Sequence, residues 1–249
     1  MNREATDLAG VRHKTYDTLG STNAEALALA RAGERGPLWV TAKTQTAGRG
    51  RRGKAWASAP GNLYATLLLT EPSAPEFAPQ LSFVAGLALW DALLCFGPML
   101  FRMMFLKWPN DLLIGGSKIA GILIEGESDP KFSVAIGIGV NCAVHPAGTA
   151  FPATDLGYLG IRVTPMRLLV VLSTMLDARL GQWQRGKGFA ATRADWLDHA
   201  YGLGRDILVR LPERELSGRF EGLDDAGHLL LRGADGVTTV PAGEVYGLR

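Results

Sequence analysis

Seven consecutive residues, Gly48-Arg49-Gly50-Arg51-Arg52-Gly53-Lys54, hold four cations and three glycines. Glycine lets backbone N–H groups approach a ligand closely. Arginine offers a planar fork for two oxyanion contacts and lysine a movable point charge. The mixture suits a phosphate or carboxylate whose shape changes during a reaction. It departs from the nucleotide loop GxxxxGK[ST], because Lys54 is followed by Ala55. A solvated surface loop has the same composition.

Three further segments carry polar chemistry. Lys107-Trp108-Pro109-Asn110-Asp111 puts a cation, an aromatic ring and two polar side chains at the end of a strand that Pro109 terminates. Strand ends are where α/β sheets bind ligands, although an ordinary Asn-Asp turn reads the same way. Lys118 precedes the apolar run Ile119-Ala120-Gly121-Ile122-Leu123-Ile124. Its head either snorkels to water or is fixed at a cavity mouth, with Gly121 leaving room for a ligand against the strand. Ser21-Thr22-Asn23 is explained by helix capping alone, and Gln45 carries no signal by itself.

The elements that position these residues follow from periodicity and punctuation. Thr22-x-x-Glu25 reads as a capping box for a helix over about residues 23–32, closed by Gly33. Strands are expected at 39–41, 63–70, 101–108 and 134–140. Residues 46–56 must form a loop. A helix over 77–96 comes before the third of these strands. A hairpin pairs 112–114 with 118–125 around Gly115-Gly116-Ser117. After Pro165, Leu169, Leu172, Leu176, Leu180 and Trp183 recur at helical spacing, and a helix with Phe189, Trp196 and Leu197 follows. Beyond Gly204, short strands between turns make a β module of about 45 residues, near the limit for folding alone and so expected to pack on the rest.

Composition excludes several classes. With 47% hydrophobic and 20% charged residues among 249, the chain is neither disordered nor fibrous. A net charge of +2 is too balanced for a surface that binds nucleic acid by charge throughout, so an anion site must be local. Cys95 and Cys142 show no CxxC spacing, and His13, His145, His199 and His228 are scattered, which disfavours a disulfide framework or a His-based metal centre. The polar N-terminus lacks a signal core, and a cytoplasmic protein is expected. The apolar stretch 83–106 is nearly long enough to span a bilayer. Asp91, Gly97-Pro98 and Arg102 interrupt it, so it reads as core helix, turn and strand, with no membrane role.

Taken in order, Ser21-Thr22-Asn23, Gln45 with GRGRRG at 48–53, Trp56, KWPNDL at 107–112, KIAGILIE at 118–125 and GIGVN at 137–141 resemble the bacterial biotin protein ligases, the biotin-[acetyl-CoA-carboxylase] ligases. The resemblance runs from about Ser21 to the C-terminus. It implies an α/β (α+β) fold: a mixed sheet flanked by helices in a class II synthetase-like catalytic domain, residues 1–203, then a small SH3-like β barrel, residues 204–249. Only 20 residues precede Ser21, too few for the DNA-binding domain of some members, so a monofunctional ligase is expected.

The implied reaction has two steps: biotin's carboxylate attacks the α-phosphate of ATP to give biotinyl-5'-AMP, and a lysine of a biotin carboxyl carrier protein then takes the biotinyl group. Cations without a Ser-His-Asp set fit it, since an anionic nucleophile needs no base but two anions must be brought together. The resemblance assigns Lys118 and Arg51 to catalysis. It assigns Ser21, Thr22, Asn23, Gln45, Gly48, Arg49, Gly50, Arg51, Lys118 and Gly121 to biotin. To ATP it assigns Arg51, Arg52, Lys54, Trp56, Asn110, Asp111, Lys118, Asn141 and Arg249, with Mg2+ accompanying ATP on ligands it does not name. Lys54 stands where the family usually has arginine. The loop 46–56 is expected to be ordered by ligand. A lipoate or octanoate ligase of the same superfamily and a non-enzymatic nucleic-acid-binding module are the competing readings. Nothing in the sequence separates monomer from homodimer.

Overall fold

Runs too apolar for one-sided strands are what a sheet covered on both faces requires. The computed structural model describes residues 3–8, 10–128, 130–149 and 151–248. Strands β1 (Arg3–Leu8), β2 (Val11–Leu19), β3 (Leu38–Gln45), β4 (Leu63–Thr70), β5 (Met104–Lys107), β6 (Asp111–Ile114), β7 (Ser117–Glu127) and β8 (Ser133–Val140) form one eight-stranded sheet. Its order is β1-β2-β3-β4-β8-β7-β6-β5, and β2 with β3 is its parallel pair in an otherwise antiparallel ladder.

Alternation along the strands divides the core. Trp39, Leu67 and Ile136 face one cluster while Leu38, Val40, Leu68 and Ala135 face another, because successive side chains point to opposite sides. Helices α2 (Leu81–Leu94), α3 (Pro165–Trp183) and α4 (Phe189–Asp198) belong to the first cluster, and α1 (Thr22–Arg31) packs through Ala26, Leu27 and Ala30 into the second. The result is the expected mixed sheet flanked by helices. Pro165 opens α3 and the Thr164 side chain accepts a hydrogen bond from Arg167 N at 3.3 Å. Thr164→Ala should cost about 1 kcal/mol, lowering Tm by roughly 2–4 °C in a chain of this size. An unchanged melt would show that the cap contributes nothing.

β9 (Asp206–Arg210), β10 (Glu215–Leu223), β11 (Leu229–Gly233), β12 (Gly236–Val240) and β13 (Glu244–Leu248) form a second, antiparallel sheet ordered β12-β11-β10-β9-β13. Ile207, Val209 and Phe220 share the buried cluster of α2 and α4, so the β module packs on the rest as expected. The seam is close at Gly227, whose φ is 86° and where a Cβ would lie 2.8 Å from the Phe83 ring. Trp108 Nε1 donates to Gly227 O at 3.1 Å.

Four local readings change. Ser21, not Thr22, caps α1, accepting from Ala24 N at 3.5 Å, because the Thr22 hydroxyl is engaged with Gln45 and Thr66. The strand expected over 101–108 is only β5. Pro98 starts a 3-10 turn, Pro98–Arg102, that leaves Phe101 and Arg102 exposed. The helix expected over 77–96 opens as the 3-10 turn Pro75–Gln80 and ends at Leu94. The hairpin β1–β2 was hidden in a polar N-terminus.

The helical stretch Pro75–Leu94 is long and apolar enough to cross a membrane, but 72% of its apolar window is buried inside the fold. Both cysteines are free: Cys95 is exposed, and burial pushes the Cys142 thiol up to about 12.

Candidate active site

Small residues on one face of β7 and β8 open a chamber of about 370 Å³. The register sets Gly121 against Gly139 and Leu123 against Gly137, so three glycines carpet its floor. Side chains from elsewhere use the space. A Cβ on Gly139 would lie 2.6 Å from the Trp56 ring, one on Gly121 2.9 Å from the same ring, and one on Gly137 2.2 Å from Asn23 Oδ1. The room read beside Gly121 is thus taken by the Trp56 indole. Its buried Nε1 has no acceptor.

At the end of the floor nearer Leu123 the chamber is polar and mostly uncharged. Gln45 Oε1 accepts from Thr22 N at 2.8 Å and from its hydroxyl at 3.2 Å, while Gln45 Nε2 donates to Ser58 Oγ at 3.0 Å. Asn23 Nδ2 reaches Leu123 O at 3.2 Å and Glu125 Oε2 at 2.8 Å, and Thr66 Oγ1 lies 2.7 Å from Asn23 Oδ1. These are the first turn of α1 and the end of β3, brought together because β2 and β3 run parallel. Ser21, Thr22, Asn23 and Gln45 all line the chamber. Capping therefore explains Ser21, but not its two neighbours.

At the other end the charges gather. Lys118 Nζ is 2.5 Å from Asp111 Oδ1, and Lys107 Nζ is 3.0 Å from Asp111 Oδ2. Lys118 also lies 5.3 Å from the centre of the Trp56 ring. Burial alone would raise the Asp111 carboxyl, but the two ammonium groups, Lys118 first, hold it below the ordinary carboxylate value. The Lys107 to Asp111 turn is set by hairpin register, which pairs these two residues directly. Asn110 Nδ2 donates to Ile122 O at 2.7 Å, tying the turn to β7, and lines the chamber too. Asn141, after β8, spends its amide on Thr154 O at 3.0 Å while also facing the cavity.

The glycine-cation loop crosses the opening. Arg49 Nη2 meets Glu125 Oε1 at 3.2 Å, Arg51 Nη1 meets Gly243 O at 3.2 Å, and Lys54 Nζ meets both oxygens of Glu244 at 2.7 Å. Burial, then the neighbouring Arg52 charge, lowers the Arg51 guanidinium from its usual value. The Lys54 contact raises Lys54 and lowers Glu244 against the opposing effect of burial. Arg49 and Lys54 side chains are 47% and 57% exposed, and surface pairs of this kind contribute only about 0–1 kcal/mol each. The loop is held by contacts that a ligand can replace.

Arg49, Gly50, Arg51, Lys54 and Trp56 line the chamber, with Asn110, Asp111, Lys118, Gly121 and Asn141. Two expected residues do not. Gly48 sits behind the wall, where a Cβ would come within 2.6 Å of Ser58 Oγ and 2.8 Å of Trp56 O. Arg52 stands at φ 56° on the exposed tip of the turn Arg51–Gly53. Arg249 lies outside the described residues. Conversely, Lys107, Phe151, Glu244, Val245 and Tyr246 face the cavity without having been assigned. For the last three no local signal existed, since they arrive from β13, some 190 residues after the loop they touch. Five cations, Arg49, Arg51, Lys54, Lys107 and Lys118, face two carboxylates, Asp111 and Glu244, among the described lining residues. Such an excess concentrates anionic ligands.

A chamber with a neutral hydrogen-bonding end, an aromatic wall and a cationic end suits a carboxylic acid joined to a nucleotide. Residues 20–141 match the Biotin/lipoate A/B protein ligase family and residues 202–246 the Biotin protein ligase C terminal domain. The chain is 44% identical to a biotin-[acetyl-CoA-carboxylase] ligase of Paracoccus denitrificans, across 91% of this chain and 96% of that one. The fold superposes on a biotin protein ligase of Aquifex aeolicus, solved with biotin and ATP, with a TM-score of 0.78, 27% identity and coverage of 95% and 98% of the two chains. A Leishmania major biotin protein ligase solved with biotinyl-5-AMP gives 0.66 and 28%, covering 92% and 98%. The chain belongs to the biotin/lipoate protein ligase family, with the catalytic and C-terminal domains of its biotin protein ligases.

Proposed function

We infer that this chamber performs both halves of a biotin ligation. The chain is an enzyme, an ATP-dependent ligase that joins biotin to acetyl-CoA carboxylase. In the division of labour proposed here, Ser21, Thr22, Asn23 and Gln45 meet the ureido head of biotin at the neutral end. The Trp56 indole, resting on Gly121, forms a wall along its chain, and the carboxylate reaches Lys118. The observation that carries this reading is the order along β7: the Lys118–Asp111 pair, then the glycine floor, then the Asn23–Glu125 pair.

Bringing a carboxylate onto a phosphate is a meeting of anions. Lys118, at the boundary of the two subsites, neutralises both as the C–O–P linkage forms and pyrophosphate leaves. Arg51 and Lys54 take the phosphates, exchanging Gly243 O and Glu244 for them, and the unpaired Trp56 Nε1 is a donor for the nucleotide. In the second step the neutral amine of a carrier lysine attacks the biotinyl carbonyl. The N–C bond forms, the C–O bond to AMP breaks, and AMP departs as a stable anion while the amine loses a proton to solvent. Arg49 and Gly50 close over biotin, with Asn110, Asp111 and Asn141 bordering the nucleotide. Residues 1–203 form the catalytic unit, and 204–249 the module that completes the chamber wall.

Mg2+ has no cage of protein carboxylates here. Among the described residues no group of three candidate ligands exists, and both chamber carboxylates are already paired with lysines. We assign it no protein site and no step; it enters with ATP, keeping its own waters.

The test is acid-dependent exchange of pyrophosphate into ATP, with biotin, lipoate and octanoate compared at equal concentration. Exchange is expected with biotin alone. Exchange with lipoate in its place would move the chain to the sister branch, and none with any acid would overturn the ligase reading.

A further inference from the structure

Lys107 is 5% exposed, and the division of labour above gives it no task. Its ammonium is nonetheless fully engaged: Asp111 Oδ2 at 3.0 Å, Val245 O at 3.2 Å and the Phe151 ring centre at 4.5 Å. Leaving a buried ammonium in a core is costly unless it is paired. Asp111, with 11% of its side chain exposed, divides its two oxygens between Lys107 behind it and Lys118 in front. All three line the chamber, and Lys118, with 27% of its side chain exposed, is the most open of them. The three charges therefore form a line from the C-terminal module, through the turn between β5 and β6, to the reacting centre.

We propose that Lys107 is a positioning residue for the ligation reaction: by holding one oxygen of Asp111, it fixes the other as the rest for Lys118 and ties that arrangement to the seating of β13. Without Lys107, Asp111 is free to rotate and, buried beside a single cation, to take up a proton. A protonated Asp111 no longer holds Lys118 in place by charge. The inference rests on the ligase reading, and its failure is separable from that reading's, since the latter is judged on the unaltered protein.

The other charged groups facing this line are Arg51 from the loop and Glu244 from β13. Glu244 is held below its ordinary value by Lys54, despite burial, and no histidine lines the chamber among the described residues. Between pH 8 and 5 a proton-linked change in a Lys107 variant thus reports Asp111. With one of its two ammonium groups gone, the opposing effect of burial raises the Asp111 carboxyl from its depressed value.

The experiment measures biotin-dependent pyrophosphate exchange from pH 8 to pH 5 for the full-length protein, Lys107→Met and Lys107→Arg. Circular dichroism at each pH establishes that all three are folded. The ratio of Lys107→Met to unaltered kcat/KM for biotin should fall by about threefold or more as the pH drops to 5, while Lys107→Arg keeps the ratio flat. If the Met variant is folded and slower by the same factor at every pH, or if arginine does not restore the profile, Lys107 is only structural and the proposal fails. If Lys107→Met does not fold, Lys107→Gln, which keeps a polar head without the charge, takes its place: a ratio that falls toward pH 5 supports the proposal, and a flat one overturns it. Absence of exchange in the unaltered protein would instead refute the ligase reading.

Discussion

Lys118→Ala should lower biotin-dependent pyrophosphate exchange by about 10²–10³-fold, the loss typical of removing one group that stabilises developing charge. Its ammonium sits where the neutral and cationic halves of the chamber meet, 2.5 Å from Asp111 and beside the Trp56 ring. A group that only bound substrate would raise KM and leave kcat near its original value. Lys118 instead neutralises two anions as they become one covalent unit, so the loss should fall mainly on kcat. Stability should fall only modestly: Asp111 loses one of its two counter-charges but keeps Lys107, and the Lys118 side chain is already 27% exposed. Lys118→Arg should recover part of the rate, since it restores charge but in a wider, planar head. Exchange within tenfold of the unaltered protein for folded Lys118→Ala would remove Lys118 from the reaction.

What the chain disclosed by itself was local chemistry, and what it concealed was long-range assembly. Gly115-Gly116 announced the β6–β7 hairpin because both residues take positive φ, 57° and 78°, as a two-residue turn of that hand requires. Pro165 likewise marked the start of α3. Lys118 and the glycine-cation loop were visible as residue types in unusual company. The strand read over 101–108 failed because apolar content was taken for burial, whereas Phe101 and Met103 are exposed. The cap of α1 was misplaced by one residue because Thr22 has a partner 23 positions away in Gln45. Glu244, Val245 and Tyr246 were invisible for the same reason on a larger scale. Nothing near residue 245 signals a chamber; the packing of the β module on the main core, with contacts such as Trp108 to Gly227, brings β13 to its rim. Glycines 121, 137 and 139 were legible as absences of side chains. What fills the gaps, Trp56 and Asn23, depends on which strands pair.

Asp111→Asn should be the most destabilising single change at this site. The carboxylate neutralises two ammonium groups, one of them buried, and an amide of the same shape leaves both without a counter-charge. Breaking a buried pair from one side costs about 3–5 kcal/mol, here on the upper side for Lys107 and discounted for the more exposed Lys118. In a chain of this length the midpoint should fall by roughly 6–20 °C. The pH dependence has a definite sign. Asp111 is held below its ordinary value in the folded state, so its contribution is fully present above the unfolded carboxylate pKa and lost as the pH falls through the folded one. The stability gap between Asp111→Asn and the unaltered protein should therefore be constant from pH 5 to 7 and narrow below pH 4. Adding Lys107→Met should recover part of the loss, because removing the buried ammonium removes the charge that the asparagine leaves uncompensated. Chemical denaturation of the two single variants and the double variant supplies the coupling energy. A double variant less stable than Asp111→Asn alone would mean that packing around Lys107, not its unpaired charge, carries the cost.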